Sequence, residues 1–191
     1  MGRAQQNTVA APPEVRTRTK RSERTRAALL RAARTVFRQT DFHDARITDI
    51  VEGAQMAHGT FYTYFDSKED IFLAVLREVL QSYVVDARPA TSSVPIDRID
   101  RASRRFLEFY AANARLLASV EPLASVDPRF ADLRRGTRLA YLHRVAGAIS
   151  RWQEEGLADQ DVDAERLAAA LGAMAERMEW HCPGLKLNYN A

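Results

Sequence analysis

The sequence predicts an all-α protein. Apolar residues recur at helical spacing along most of the chain. No stretch of any length alternates apolar and polar residues in the way that is typical of a strand. A segment rich in helix-breaking residues, 88–95, separates two groups of periodic stretches. With 191 residues, the chain can form a small and a larger helical domain, each around buried apolar side chains.

Composition places the chain among ordinary globular proteins, with 46% hydrophobic and 28% charged residues. No apolar run approaches the roughly 20 residues that a membrane helix needs. The N-terminus lacks the apolar core of a secretory signal. The single cysteine, Cys182, cannot form an intramolecular disulfide, which agrees with a reducing compartment. We therefore expect a cytoplasmic protein without a membrane segment.

Positive charge is concentrated at the N-terminal end. Residues 1–40 contain ten Lys and Arg against two acids, although the whole chain carries only +3. This asymmetry indicates a polyanionic partner. Residues 1–21 are predicted to form a flexible basic arm, because they show no apolar period. The cations of this arm either reach DNA or only improve solubility, and they are Arg16, Arg18, Lys20 and Arg21.

The N-terminal third predicts a helix-turn-helix domain over residues 22–66. A first amphipathic helix spans 23–38, with arginines off its apolar stripe. Two short helices follow at 47–53 and 57–64, separated by Gly53-Ala54-Gln55. Ser67 is predicted to cap a connecting helix over 67–85 through the amide near Asp70. Two short helices joined by a tight turn between longer helices are typical of DNA-binding units.

The rest of the chain predicts a helical bundle over residues 98–180, after a linker at 86–97. One helix carries Ile99 to Tyr110, and a shorter helix spans 116–124. Asp127 and Pro128 start a long helix that Gly156 ends. Asp163 opens a last helix that continues to Trp180. Residues 181–191 are predicted to form an irregular tail.

The run over residues 47–76, ITDIVEGAQMAHGTFYTYFDSKEDIFLAVL, resembles the DNA-binding domain of the TetR family of bacterial transcription regulators. The resemblance rests on Gly59-Thr60-Phe61-Tyr62, then Phe65, and then Ser67-Lys68-Glu69. It implies a homodimer that binds double-stranded operator DNA and responds to a small, apolar effector. Segments of the C-terminal half also resemble the regulatory domain of many family members.

The resemblance assigns two kinds of DNA contact. Thr60, Tyr62 and Lys68 fall on positions that contact phosphates, and base edges are approached at Gln55, Ala57, His58 and Gly59. Gly59 lets the backbone come close to DNA. Arg46 lies where a capping Ser or Thr is usual, and Tyr64 adds a hydroxyl, so both are included in the predicted interface. Packing is the alternative for Tyr62 and Tyr64, and Phe61 and Phe65 are predicted core residues.

The resemblance also implies an effector pocket in the C-terminal half, lined by aromatic and flexible apolar side chains. Core packing is the alternative for each of them. Arg138, His143, Arg144 and Glu176 either orient a ligand or belong to a solvated face. The predicted pocket residues are Phe106, Phe109, Tyr110, Leu117, Tyr141, Val145, Trp152, Met174 and Met178.

The sequence predicts no catalytic site, cofactor or metal. Glu154-Glu155 reads as a solvated helix end. His181-Cys182 has neither the spacing of metal ligands nor a third group that would activate the thiol. We therefore expect no enzymatic activity.

The C-terminus departs from the family pattern. Family members usually end with two helices that meet their partners in a four-helix interface, and this chain supplies the first, up to Trp180. The tail HCPGLKLNYNA is too short for the second, so this helix is expected to be missing or shortened. The favoured hypothesis is a homodimeric repressor, released from a palindromic operator when its effector pivots the helix over 76–85. The alternative is a helical interaction or small-molecule-sequestering protein with defective dimerisation.

Overall fold

The computed structural model describes residues 20–85 and 95–181. Predictions for most of the basic arm, for the linker up to residue 94 and for the tail with Cys182 lie outside the described residues. Those for the side chains of Glu176 and Met178 do so as well. Over the described ranges every regular element is a helix, which confirms the all-α prediction.

Four helices form the N-terminal unit, defined here as residues 20–85. They are α1 (Lys20–Gln39), α2 (Ile47–Gly53), α3 (His58–Phe61) and α4 (Lys68–Val85). The predicted apolar stripe of α1 is largely buried, and the exposed surface of α1 carries Arg21, Arg24, Arg31 and Arg38. Leu29 and Ala33 are fully buried in this stripe.

α3 is shorter than the predicted helix over 57–64. After Phe61 the chain closes a turn, because the amides of Tyr64 and Phe65 both donate to the Phe61 carbonyl, at 2.9 and 3.0 Å. This turn brings Phe65 back against Phe61, with ring centroids 5.8 Å apart. Burial of both rings therefore ends α3 early, and their predicted core role is confirmed.

α4 begins at the predicted cap. The Ser67 hydroxyl accepts from the Asp70 amide at 3.1 Å, and the Asp70 carboxylate accepts from the Asp66 amide at 3.2 Å. The two bonds satisfy amides that lack partners within the helix.

Four further helices form the C-terminal bundle, defined here as residues 95–181. They are α5 (Pro95–Ala118), α6 (Val120–Ala124), α7 (Pro128–Glu154) and α8 (Ala164–His181). α5 starts inside the predicted linker, since proline is tolerated in the first turn of a helix. The short helix predicted over 116–124 is α6, but it begins at Val120 and not at residue 116. Leu116 continues the buried stripe of α5, and the chain bends only after Ala118.

The caps of α7 and α8 agree with the sequence. Asp127 accepts from the Arg129 amide at 2.9 Å, and Gly156, with φ +71°, ends α7. Asp163 accepts from the amides of Glu165 and Arg166, each at 3.0 Å. These side chains fix where α7 and α8 begin, and the left-handed glycine fixes where α7 ends.

One apolar cluster joins the two parts of the chain. Phe72 of α4 packs edge-on against Phe37 of α1, with ring centroids 4.7 Å apart, and lies 6.0 Å from Phe130 of α7. Leu116 of α5 and Leu123 of α6 belong to the same cluster. The C-terminal bundle is therefore packed directly onto the N-terminal unit through α4.

Candidate nucleic-acid interface

α2 and α3 are joined by a tight turn that ends α2. The Met56 amide donates to the Val51 carbonyl and the Gln55 amide to the Glu52 carbonyl, both at 2.9 Å. This pair of bonds is the Schellman motif, which needs a left-handed residue after the helix. Gln55 is that residue, with φ +56°. Its backbone therefore sets the angle between the two helices, a role that the sequence did not indicate.

α3 is fixed on one side and open on the other. Phe61 is fully buried and anchors the helix. On the opposite side, His58 and Tyr62 lie one turn apart, with ring centroids separated by 5.5 Å, and Tyr62 is 51% exposed. Both side chains therefore face solvent together.

Exposure divides the nine predicted DNA contacts. Six are exposed: Arg46, Gln55, Ala57, His58, Gly59 and Tyr62. Thr60, Tyr64 and Lys68 are half-buried, so each of them also packs within the protein.

Among the described residues, no contact requires glycine at position 59. Its backbone is helical, and a Cβ built on it would meet no atom of these residues within 4 Å. Glycine in a helix costs roughly 0.5–1 kcal/mol relative to alanine. The space beside Gly59 opens onto the exposed side of α3, where a partner's backbone can come close.

Lys68 is occupied inside the protein. Its Nζ donates to the carbonyls of Phe42, Ala45 and His43, at 2.6, 2.9 and 3.1 Å. The ammonium group also lies 4.5 Å from the centre of the Phe42 ring. An ammonium group has three donors, so these bonds use all of them. Lys68 thus holds the connection between α1 and α2, and its predicted phosphate contact stays a prediction.

Arg46 precedes α2 without capping it by its side chain. The Asp49 carboxylate instead accepts from the Arg46 amide at 3.1 Å. Asp49 thus satisfies the Arg46 amide, but not the amides in the first turn of α2 that a capping hydroxyl would bind. The exposed guanidinium lies at the entry of α2, where the positive end of the helix dipole also attracts anions.

Two arginines of α1 lie beside the turn and the end of α3, and sequence reasoning did not single them out. Arg31 borders a shallow groove that it shares with Gln55. Arg26 borders a second groove with Tyr64, and its guanidinium lies 5.2 Å from the Phe65 ring centre. The sequence showed only that the surface of α1 is basic. Which of its arginines lie near α3 depends on how the helices pack.

In the C-terminal bundle, several predicted effector residues come together. Phe106 and Phe109 of α5 pack against Tyr83 of α4, with ring centroids 6.3 and 4.5 Å away. Tyr110 stacks on Phe106 at 6.3 Å. The guanidinium of Arg144 lies 5.2 Å from the Tyr83 ring centre and 5.7 Å from that of Tyr141. We call these six residues the aromatic cluster.

The other predicted effector residues are less gathered. Leu117, Val145 and Trp152 are half-buried, and Met174 is 65% exposed on α8. Tyr83 was missed because its spacing on α4 also fits the apolar stripe of that helix.

The described ranges also bear on metal binding and membrane insertion. There, no group of three or more His, Cys, Asp or Glu side chains is arranged to hold a metal ion. None of the helices in these ranges combines the length and apolar character required to cross a bilayer.

Comparison with known proteins identifies the family. Residues 29–75 match the family described as "Bacterial regulatory proteins, tetR family". The HTH-type transcriptional regulator EthR of Mycolicibacterium smegmatis is 30% identical over 158 residues, which cover 79% of this chain and 71% of EthR. The chain belongs to the TetR family. It is therefore a DNA-binding transcription regulator, and the sequestering alternative is not favoured.

Further TetR-family comparisons agree. The regulator RutR of Escherichia coli K12 is 31% identical over 149 residues, covering 74% of this chain and 69% of RutR. The crystal structure of a TetR transcription regulator from Haloarcula marismortui superposes with a TM-score of 0.74 at 18% identity. That match covers 84% of this chain and 86% of the other. The structural likeness concerns the fold alone.

Proposed function

We propose that this TetR-family protein is a homodimeric repressor that binds a palindromic operator through the exposed side of α2 and α3. Gly59 is the observation that carries the proposal. It is a helical glycine with open space around its missing side chain, so no contact among the described residues requires it. A DNA backbone or thymine methyl pressed against α3 supplies the missing reason.

The groups around Gly59 suit an operator. Tyr62 offers a hydroxyl and His58 a ring nitrogen on the same exposed side of α3. Arg46 at the start of α2 and Arg31 of α1 supply cations for phosphates. Phosphate contacts orient such a protein, while contacts to base edges provide specificity.

A second copy of the chain is the proposed partner of α8. Leu167, Leu171 and Met174 lie at helical spacing and are 37, 41 and 65% exposed. An apolar stripe of this kind is stabilised when another surface covers it. Dimerisation would present two α3 helices about 34 Å apart, which matches half-sites one helical turn apart on DNA.

The aromatic cluster is the proposed effector site. Its rings come from α5 and α7 and from Tyr83 of α4, the last helix of the N-terminal unit. An apolar effector among these rings would release DNA by favouring a conformation of α4 in which the two α3 helices no longer fit successive grooves.

Selection of bound fragments from random DNA tests this function. We expect one motif with two-fold symmetry, bound at least about a thousandfold more tightly than a scrambled duplex at physiological salt. Inserting five base pairs between the half-sites should remove this preference, because it turns one half-site to the opposite side of the duplex. Failure to enrich any motif, or a strict monomer in sedimentation at micromolar concentration, would contradict the proposal.

A further inference from the structure

α5 holds the end of α1 through a buried asparagine. Asn113 is 4% exposed, and among the described side chains it is the one polar residue that is buried. Its Oδ1 accepts from Nη2 of Arg38 at 3.1 Å, and its Nδ2 donates to the Phe109 carbonyl at 2.8 Å. Because a buried amide must keep its partners, this bond ties α1 to α5 at a defined position.

Two residues further along α5, Arg115 holds the same end of α1. Its Nη1 donates to the carbonyl of Gln39, the last residue of α1. Its Nε lies 3.6 Å from the Asp41 carboxylate. A cation at this place satisfies a helix-terminal carbonyl and favours the negative end of the helix dipole.

The bonds of Arg115 hold the start of the short connection between α1 and α2, which Lys68 also holds. Residues 40–46 lead from α1 to α2, and the Lys68 ammonium binds three carbonyls on this connection from the α4 side. Arg115 holds Gln39, just before the connection, and Asp41 within it from the α5 side. The position of Arg46 and α2 is therefore set jointly by α4 and by a helix of the C-terminal bundle.

The same helix also carries part of the aromatic cluster. Phe109 packs 4.5 Å from the Tyr83 ring and accepts the Asn113 bond one helical turn away. A shift of α5 at its rings would also move Asn113 and Arg115, which bind Arg38, Gln39 and Asp41.

We propose that Asn113 and Arg115 are positioning residues that couple the aromatic cluster to operator binding through the end of α1. The proposal rests on the proposed function, since it concerns the same effector and operator sites. It adds a route through α5 and α1 to the movement of α4. Neither residue has to touch DNA in this role.

Arg115→Gln tests the coupling, with Arg104→Gln as matched control. Both changes remove one exposed arginine from α5, but the ion pair of Arg104 is with Asp100 on the same helix. We expect Arg115→Gln to weaken binding to the selected operator about fivefold to tenfold, and Arg104→Gln to leave it within about twofold. Asn113→Leu should act in the same direction as Arg115→Gln.

Two further measurements separate positioning from other roles. The slope of log affinity against log salt should stay unchanged in Arg115→Gln, because a lost phosphate contact would reduce it by about 0.9 per subunit. In DNA-free protein, amides 40–46 should exchange their hydrogens at least about tenfold faster in Arg115→Gln than in Arg104→Gln. The exchange rates also test whether Arg115 holds residues 40–46 if no operator is found.

Wild-type affinity in Arg115→Gln, or a reduced salt slope, would overturn the coupling. Equal exchange in the two variants would show that Arg115 does not hold residues 40–46. If no operator is selected for the wild type but exchange is faster in Arg115→Gln, the proposed function is wrong and the positioning role of Arg115 stands.

Discussion

The N-terminal unit and the C-terminal bundle bury their apolar residues differently. In the N-terminal unit, buried side chains run from Leu29 to Val79 in one cluster with three phenylalanines in contact. In the described part of the bundle only a few apolar side chains are buried, and the others are half-buried or exposed, among them several on α7 and α8. The first part is shaped by its own packing. The second has apolar surface left for a ligand and a second copy, as proposed above.

The largest expected difference between the two regions is in stability. Phe72→Ala should lower the free energy of unfolding by about 3–5 kcal/mol, since Phe72 is fully buried between α1 and α7. Leu157→Ala, at a 46% exposed position after α7, should cost at most about 1 kcal/mol. Urea unfolding of both variants provides the comparison. Equal losses in the free energy of unfolding would show that the difference in burial between the two regions does not affect stability.

Lys68→Met should have the next largest effect and lower the free energy of unfolding by about 2 kcal/mol, because it removes a charged donor from three carbonyls. Operator affinity should fall as the connection between α1 and α2 loosens, while the salt slope stays unchanged. Urea unfolding and salt titration measure the two effects separately. A stable variant whose salt slope falls by about two for the dimer would identify Lys68 as a phosphate ligand instead.

The two regions also end helices differently with the same motif. α7 ends at Gly156, with φ +71°, whereas α2 ends at Gln55, with φ +56°. A side chain in this conformation costs roughly 1–2 kcal/mol. Gln55→Gly should therefore raise stability by about 1 kcal/mol, while Gly156→Ala should lower it by a similar amount. Thermal unfolding of both variants checks the opposite signs, and a destabilised Gln55→Gly would show that the Gln55 side chain itself supports the turn.

The smallest expected effect concerns the contact between α4 and α7. The side-chain hydrogen bond from Arg129 lowers the pKa of Asp127, and Arg129 also pairs with Asp70 of α4. Because the pKa of Asp127 is lower in the folded than in the unfolded protein, its charge stabilises the fold at pH values above the unfolded pKa of about 3.9. This stabilisation is lost as the pH falls through the folded-state pKa. Asp127→Asn keeps a capping oxygen without the charge.

The melting temperatures of wild type and Asp127→Asn should therefore differ by a constant amount above about pH 5 and converge below about pH 4. Scanning calorimetry over this range measures the gap. A gap that persists unchanged at pH 3 would exclude the charge as its cause.

Local patterns predicted much of this architecture. The apolar stripe of α1 and the caps at Ser67, Asp127 and Asp163 depend on residues within four positions of each other, so the sequence contains the information directly. The error at α5 has the same origin. Leu116 fits both the end of one helix and the start of another, and only its burial under the N-terminal unit decides.

Long-range contacts could not be predicted in this way. The bonds of Lys68 join residues more than 20 positions apart, and those of Asn113 and Arg115 join residues about 75 apart. They depend on how whole helices pack, which periodicity does not determine. The left-handed conformation of Gln55 was hidden because Gly53, two residues earlier, offered a simpler break.

Gly59→Ala gives the most direct test of the claim that the exposed side of α3 meets DNA. Gly136→Ala on α7 is its control, because a Cβ at either glycine would have no neighbour within 4 Å in the described part of the chain. Both variants should be as stable as wild type or more so, by roughly 0.5–1 kcal/mol. Fluorescence anisotropy on the selected operator should show at least about a tenfold loss of affinity, or 1.4 kcal/mol, for Gly59→Ala and no loss for Gly136→Ala. Wild-type affinity in Gly59→Ala would contradict the account.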